Sequence, residues 1–218
     1  MNLKYLFFDT ETTGFPKRGA DPITNPEGWP RMVQIAWILC EGDESIIDEQ
    51  SHIIKPKGYI IPDNVAMIHG ITTERAIREG KPIEKVLSRF TEATVQSELI
   101  IGHNVEFDRG VVAAEYSRTM QDAYVHSHPY FCTMKNTTDF CKIPYPSGRK
   151  GNKWPKLIEL HETLFSCPFE DAHDALADVR ACVRCFFELK RRGMFEEKKK
   201  AEVSEKQVRK KRVKKNTP

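Results

Sequence analysis

The stretch that most constrains the fold is residues 3–14, Leu-Lys-Tyr-Leu-Phe-Phe-Asp-Thr-Glu-Thr-Thr-Gly. In a strand, alternate side chains point to opposite faces. Leu6 and Phe8 then fill one face, and Leu3, Tyr5 and Phe7 fill the other. Apolar side chains on both faces mark a central strand of a sheet that is covered on both sides. The run ends at Asp9, and Glu11 follows two residues later on the same face. Two like charges held together at the end of a buried strand repel each other and lose hydration. A hard divalent cation with oxygen ligands would compensate them. A solvated strand end that merely opens a turn is the competing reading, and these residues alone do not separate the two.

A chain of 218 residues suits one domain with a tail. Its hydrophobic fraction of 39%, with 12 Phe, 6 Tyr and 3 Trp, is ample for a core. No apolar run reaches the ~18–20 residues of a membrane helix. The N-terminus has no basic segment followed by an apolar stretch and a cleavage site. A soluble, cytoplasmic protein without a membrane partner is therefore expected. The net charge of +3 is unevenly placed: residues 196–218 carry ten Lys/Arg against four Glu, so residues 1–195 are mildly acidic. Net charge alone thus makes no case for nucleic-acid binding by the folded part. The tail has hardly any apolar residue and cannot bury a face. It reads as disordered or an isolated helix, and as a phosphate-binding arm, a targeting signal or an inert extension. Cys40, Cys132, Cys141, Cys167, Cys182 and Cys185 lack paired zinc spacing and read as free thiols.

Residues 15–30 carry Pro16, Gly19, Pro22, Pro26, Gly28 and Pro30, show neither period, and read as a long loop. Strands over 32–40 and 45–54 follow with a short link, which predicts an antiparallel meander. Residues 60–71 read as a proline-bounded loop, with Thr72 and Thr73 capping a short helix. Ile83, Val86, Leu87 and Phe90 share one face of a helix over 82–95. A buried strand over 99–102, a helix over 106–118 and a fifth strand at 131–133 come next. A loop rich in Pro, Gly and basic residues covers 142–156. Helices over 155–165 and 174–192 complete the order, which predicts an α/β domain with a mixed five-stranded sheet flanked by helices.

Two further carboxylates occupy positions where apolar residues belong. Asp178 falls along the inward stripe of Ala175, Val179, Cys182, Val183 and Phe186. A buried Asp needs a partner or a metal; the alternative is a carboxylate at the margin, paired with Arg180 or Arg184. Asp108 precedes Val111 and Val112 in the first turn of its helix, where the macrodipole by itself favours an acid. His173 reads as the last loop residue before Asp174 opens the final helix. In compact α/β domains, strand ends and helix starts converge at one edge of the sheet. Four carboxylates without a Cys or His ligand cluster favour magnesium or manganese over zinc. Paired ions of that kind clamp the attacking and leaving oxygens of a phosphoryl displacement. A nearby His, with an ordinary pKa of about 6.5, could take the proton of the attacking water.

With these residues in order, the chain resembles the DEDDh branch of 3′–5′ exonucleases. That family includes the proofreading epsilon subunit of bacterial DNA polymerase III, three-prime repair exonucleases, ribonuclease T and oligoribonuclease. The first motif is Phe8-Asp9-Thr10-Glu11-Thr12-Thr13-Gly14, and the second is Gly102-His103-Asn104-Val105-Glu106-Phe107-Asp108. The third is His173-Asp174-Ala175-Leu176-Ala177-Asp178, and Met67-Ile68-His69-Gly70-Ile71 is similar to the family's His-Gly-Ile segment. Together they cover about residues 3–190, and three concordant motifs are far more specific than one. The resemblance implies a ribonuclease H-like fold and two Mg2+ or Mn2+ ions. It implies that Asp9, Glu11 and Asp178 hold the first ion, that Asp9 bridges to the second with Asp108, and that His173 is the general base. It further implies that Thr12, Thr13, Gly14 and His69 contact the terminal nucleotide. Asn64, Met67, Ile68, His103, Asn104 and Phe107 are weaker candidates. Phe107 and Ile68 suit a core equally well, and His103 and Asn104 suit a helix cap.

Single strands are held by stacking surfaces and cations. Phe15, Met67 and Phe107 could supply the former, and Arg149, Lys150, Lys153 and Lys156 the latter, unless that loop is simply solvated. The expected function is a metal-dependent 3′–5′ exonuclease acting on single-stranded or frayed ends, with DNA preferred, releasing nucleoside 5′-monophosphates. The alternatives are an RNA exonuclease and a non-catalytic nucleic-acid- or polymerase-binding module. The tail shows no apolar pattern suited to a polymerase partner.

Overall fold

Residues 4–12 form strand β1 (Lys4–Thr12) at the centre of a five-stranded sheet. The computed structural model describes residues 3–119, 127–170 and 174–194. The tail and His173 lie outside the described residues. The other strands are β2 (Met32–Glu41), β3 (Ile46–Ile53), β4 (Leu99–Gly102) and β5 (Tyr130–Cys132), in the order β3-β2-β1-β4-β5. β1, β2 and β3 form the expected antiparallel meander. β4 and β5 join parallel to β1, so the sheet is mixed. No described helix is long and apolar enough to cross a membrane.

Among the described residues seven α-helices cover the sheet. They are α1 (Asp63–His69), α2 (Thr73–Glu79), α3 (Ile83–Val95), α4 (Val105–Arg118), α5 (Thr133–Cys141), α6 (Leu157–Phe165) and α7 (Ala175–Arg191). Strand alternation decides which helices cover which face. Leu6 and Phe8 pack with Val86, Leu87 and Phe90 of α3 and Val111 and Val112 of α4. Tyr5 and Phe7 pack with Ala175, Val179, Cys182 and Phe186 of α7. Leu3, expected to extend that second face, is 46% exposed because it precedes the paired part of the strand.

Two helices depart from the sequence expectation. α1 occupies part of the proline-bounded stretch read as a loop; it starts after Pro62 and stops at Gly70, whose φ of 71° is left-handed. Seven residues make two turns, too few to display a period. α5 contains three threonines, and the Thr137 and Thr138 hydroxyls donate to the carbonyls of Thr133 and Met134 one turn back. Buried Thr133, Met134 and Thr137 hold it against its neighbours despite its modest helix propensity.

The long loop after β1 is pinned to α4. Arg118 donates to the carbonyl oxygens of Pro26 and Trp29, at 2.5 and 2.8 Å. Glu115 is fully buried and accepts from Arg31 Nε at 2.9 Å and the Met32 amide at 3.0 Å. Such a carboxylate is tolerated only because it is paired. Trp29 fills the space that Gly110 leaves open: a Cβ at Gly110 would stand 2.1 Å from the indole ring. Gly110→Ala gains ~1 kcal/mol of helix propensity, but at a 2.1 Å approach to a rigid ring the overpacking falls in the upper part of the usual range, ~2–3 kcal/mol. The expected result is a net loss of about 1–2 kcal/mol in urea unfolding, with Trp29→Leu costing less in the Gly110→Ala background than in the parent because the clash is relieved. An unchanged midpoint for Gly110→Ala would disprove this packing argument.

Candidate active site

Asp9 and Glu11 continue the face of Tyr5 and Phe7, which is the face that α7 covers. Opposite them on β2 are Ala36 and Gln34. Ala36 and Ala175 are small and fully buried, so the start of α7 comes close to the sheet. The N-terminus of α7 is fixed by Asp174, whose Oδ1 accepts from the Leu176 and Ala177 amides at 3.0 and 3.1 Å. One turn on, Asp178 meets the end of β1: carboxylate oxygens of Asp9, Glu11 and Asp178 all lie within 4.8 Å of one another. Arg180, the alternative ion-pair partner, is instead paired with Glu49.

Asp108 stands outside this trio, on the α4 side of β1. It is 3% exposed, and its Oδ1 accepts from the Thr10 amide at 3.1 Å and the Thr10 hydroxyl at 2.7 Å. Burial pushes the Asp9 carboxyl well above the usual carboxylate range, and the charges of Asp108, Asp178, Glu11 and Asp174 push it further. Glu11 rises to about 8, through burial and then the charges of Asp178, Asp108 and Asp174. Asp108 rises to about 7 through burial, against the lowering effect of its bonds from Thr10. The fold therefore crowds acidic groups together where water is scarce, and the donors on offer are all hard oxygens. That set suits a hard divalent cation with oxygen ligands.

The remaining sequence candidates divide into two groups. Asn64 and Met67 are exposed on α1, as is Asn104 at the start of α4. Asn104 has a left-handed φ of 65° and its side chain makes no capping bond, so the cap reading does not hold for it. Phe107 is half-buried between Trp29 and the 90%-exposed Phe15, with ring centroids 6.3 and 6.1 Å away. The second group is engaged by the fold. The Thr13 amide donates to the Arg31 carbonyl at 3.0 Å, and its hydroxyl accepts from the Arg31 amide at 2.9 Å. The Thr12 hydroxyl donates to the Gly14 carbonyl at 2.8 Å. His69 is buried, and its Nδ1 accepts from the Ile71 amide. His103 Nε2 donates to the Pro155 carbonyl at 2.9 Å, and its Nδ1 meets the Thr133 hydroxyl at 3.0 Å. Burial lowers the His103 pKa to about 4, so the ring is neutral. Lys153, expected among the phosphate contacts, is paired with Glu159 at 2.6 Å.

Thr10 and Gln34, not among the sequence candidates, also shape the site. Thr10 holds Asp108. Gln34, 5% exposed, reaches Ser51 at 3.1 Å and Asp174 at 3.4 Å. Each is a polar residue inside an otherwise apolar strand, a signal that was visible although its partner was not.

A mixed sheet in this order, with acids gathered at the end of its central strand, defines a nuclease-type domain of ribonuclease H-like fold. The family described as Exonuclease (RNase_T) matches residues 6–186, and the chain belongs to that family. The DNA polymerase III PolC-type of Streptococcus sanguinis (strain SK36) is 28% identical over 184 residues, which are 84% of this chain and 11% of that protein. The PolC-type polymerase of Streptococcus pneumoniae (strain ATCC BAA-255 / R6) is 27% identical, with the same coverage. Among solved structures, E. coli exonuclease I in complex with a dA16 oligonucleotide is similar with a TM-score of 0.69 at 22% identity, over 89% of this chain and 42% of that one. A further exonuclease I structure gives a TM-score of 0.70 at 23% identity, over the same shares. At these identities the structural likeness concerns the fold. The chain spans about a tenth of the polymerases' length and about two fifths of exonuclease I.

Proposed function

We propose that the chain is a divalent-metal-dependent 3′–5′ exonuclease that removes nucleoside 5′-monophosphates from single-stranded or frayed ends, with DNA preferred. The observation that carries this reading is the convergence of Asp9, Glu11 and Asp178, with oxygens within 4.8 Å of one another. Membership of the exonuclease family supports it. So do the exonuclease I structures, determined with oligodeoxynucleotides and in a zinc-bound form with single-stranded DNA. Asp9, Glu11 and Asp178 would hold one cation, and Asp9 and Asp108 a second. Bound there, divalent cations would stabilise charge on the attacking and leaving oxygens of the phosphodiester. His173 would accept the proton of the attacking water at an imidazole nitrogen. Phe15, Phe107 and Met67 would give the terminal bases an apolar surface, and Asn64, Asn104, Thr12, Thr13, Gly14, His69 and His103 would shape the pocket directly or through the backbone. The reading keeps a catalytic domain over residues 1–195 and a basic tail beyond it.

The test uses matched DNA and RNA oligonucleotides labelled at either end. With Mg2+ or Mn2+, the 3′-labelled DNA should release labelled mononucleotide at once while the 5′-labelled strand shortens as a ladder, and EDTA should stop both. Mononucleotide released first from the 5′ end, or no cleavage at all, would reject the proposal. Faster loss of RNA would reassign the substrate.

A further inference from the structure

The acid cluster repels the phosphates it is proposed to act on, so some other surface must hold the strand. Residues 142–156 contain five Lys/Arg and no Asp or Glu, in a domain that is otherwise mildly acidic. They form a short hairpin. The Lys153 amide donates to the Ile143 carbonyl at 2.8 Å, Pro144 and Asn152 form an antiparallel bridge, and the Gly148 amide donates to the Tyr145 carbonyl to close the turn. Lys153 ties the hairpin to α6 through Glu159. Arg149 lies over the Tyr145 ring at 5.1 Å, and Lys142, Arg149, Lys150 and Lys156 are all exposed. Trp154 is 61% exposed among these cations, whereas Trp37 is 1% exposed and Trp29 packs in the core.

The mooring of this hairpin ties its foot to the strand end that carries the carboxylates. Pro155 is buried, and its carbonyl accepts from His103, the residue that follows β4. β4 runs parallel to β1, and a Cβ at Gly102 would lie 3.1 Å from the Phe8 carbonyl, immediately before Asp9. One neutral, half-buried imidazole thus links the foot of the hairpin to the strand end next to the carboxylates.

We propose that residues 142–156 are a binding arm for single-stranded nucleic acid, gripping the strand a few nucleotides from the cleaved end. Trp154 stacks on a base, and Arg149 and Lys150 contact phosphates. An exposed aromatic set among cations is the combination that holds single strands without reading their sequence. The inference rests on the proposed exonuclease activity, and its test separates the two.

The full-length protein and its Trp154→Ala, Trp154→Phe and Arg149→Ala/Lys150→Ala variants are assayed on two substrates. One is the p-nitrophenyl ester of thymidine 5′-monophosphate, which has neither a neighbouring base nor an internucleotide phosphate for the hairpin to grip; the other is a 16-nucleotide oligothymidylate. The ratio of kcat/KM for the oligonucleotide to that for the ester should fall about tenfold in Trp154→Ala, within the range of base–aromatic stacking. Trp154→Phe should keep it within about twofold. The double variant should reduce the salt dependence of oligonucleotide binding, by about 0.7 in logarithmic slope per cation removed. Oligonucleotide should also quench tryptophan fluorescence in the parent but not in Trp154→Phe. If ratio and slope stay at parental values while both substrates are hydrolysed, the arm is refuted and the nuclease reading stands. If the parent hydrolyses neither, the nuclease reading falls. The arm is then judged by anisotropy with a labelled oligonucleotide, and equal affinity in parent and variants refutes it.

Discussion

Asp9→Asn is expected to lower the cleavage rate by at least about 10³-fold, which corresponds to ~4 kcal/mol of transition-state stabilisation, while raising the melting temperature of the metal-free protein. Both effects come from one fact: Asp9 is the carboxylate that touches both halves of the acid cluster, since its charge is opposed by Asp108 on one side and Asp178 and Glu11 on the other. An amide keeps the shape, removes the charge and supplies one fewer anionic ligand. The pH dependence has a definite sign. Glu11 and Asp108 titrate at about 8 and 7 in the folded protein, above the ~4 of an unfolded carboxylate. The folded state then binds more protons than the unfolded state across that window. The favourable contribution of these groups is complete below about pH 4 and is lost as pH rises through 7–8. Metal-free protein should therefore melt progressively lower between pH 5 and 8. Mn2+ at 100 times its Kd should restore ~2.7 kcal/mol, with its largest effect at the alkaline end. Thermal melts in EDTA and in Mn2+ measure this directly. A pH-independent melting temperature in EDTA, or a parental cleavage rate in Asp9→Asn, would show that the cluster is not a metal site.

The second large effect belongs to His173→Ala. Loss of a positioned general base typically costs 10²–10⁴-fold, and a drop of that size is expected in kcat on oligonucleotides. His173 immediately precedes Asp174, whose carboxylate caps α7 and whose other oxygen meets Gln34. The variant should thus retain the carboxylates and their metal affinity. Calorimetric titration with Mn2+ should match the parent, while the acidic limb of the pH–rate profile disappears. A rate within threefold of the parent would remove His173 from the mechanism, and a lost Mn2+ signal would make it structural instead.

The parts of this molecule that depend on local geometry are legible in the sequence. Apolar residues on both faces of residues 3–8 required a covered central strand, and the two faces are indeed covered by α3 and α4 on one side and α7 on the other. The inward Asp178 stood out because a charged residue broke an apolar stripe. α1 and α5 were not legible: one is two turns long, and the other is rich in residues that prefer turns until their hydroxyls bond back along the helix. His103 shows a different limit. Its residue type suits a ligand contact, a cap or a structural tie, and only the positions of Thr133 and Pro155, far along the chain, decide for the tie.

By itself the sequence determined that Asp9 and Glu11 share a face, because the direction of alternate side chains follows from covalent geometry and needs no partner. It also determined the order of three acidic motifs along one α/β domain. The tertiary structure alone decided that Asp178 joins Asp9 and Glu11, while Asp108 is held apart by Thr10, a residue 98 positions away in the chain. Those distances are set by strand order and helix packing, in which a pair of small residues, Ala36 and Ala175, lets one helix approach the sheet. No local pattern encodes such an approach, because it is a property of two surfaces meeting.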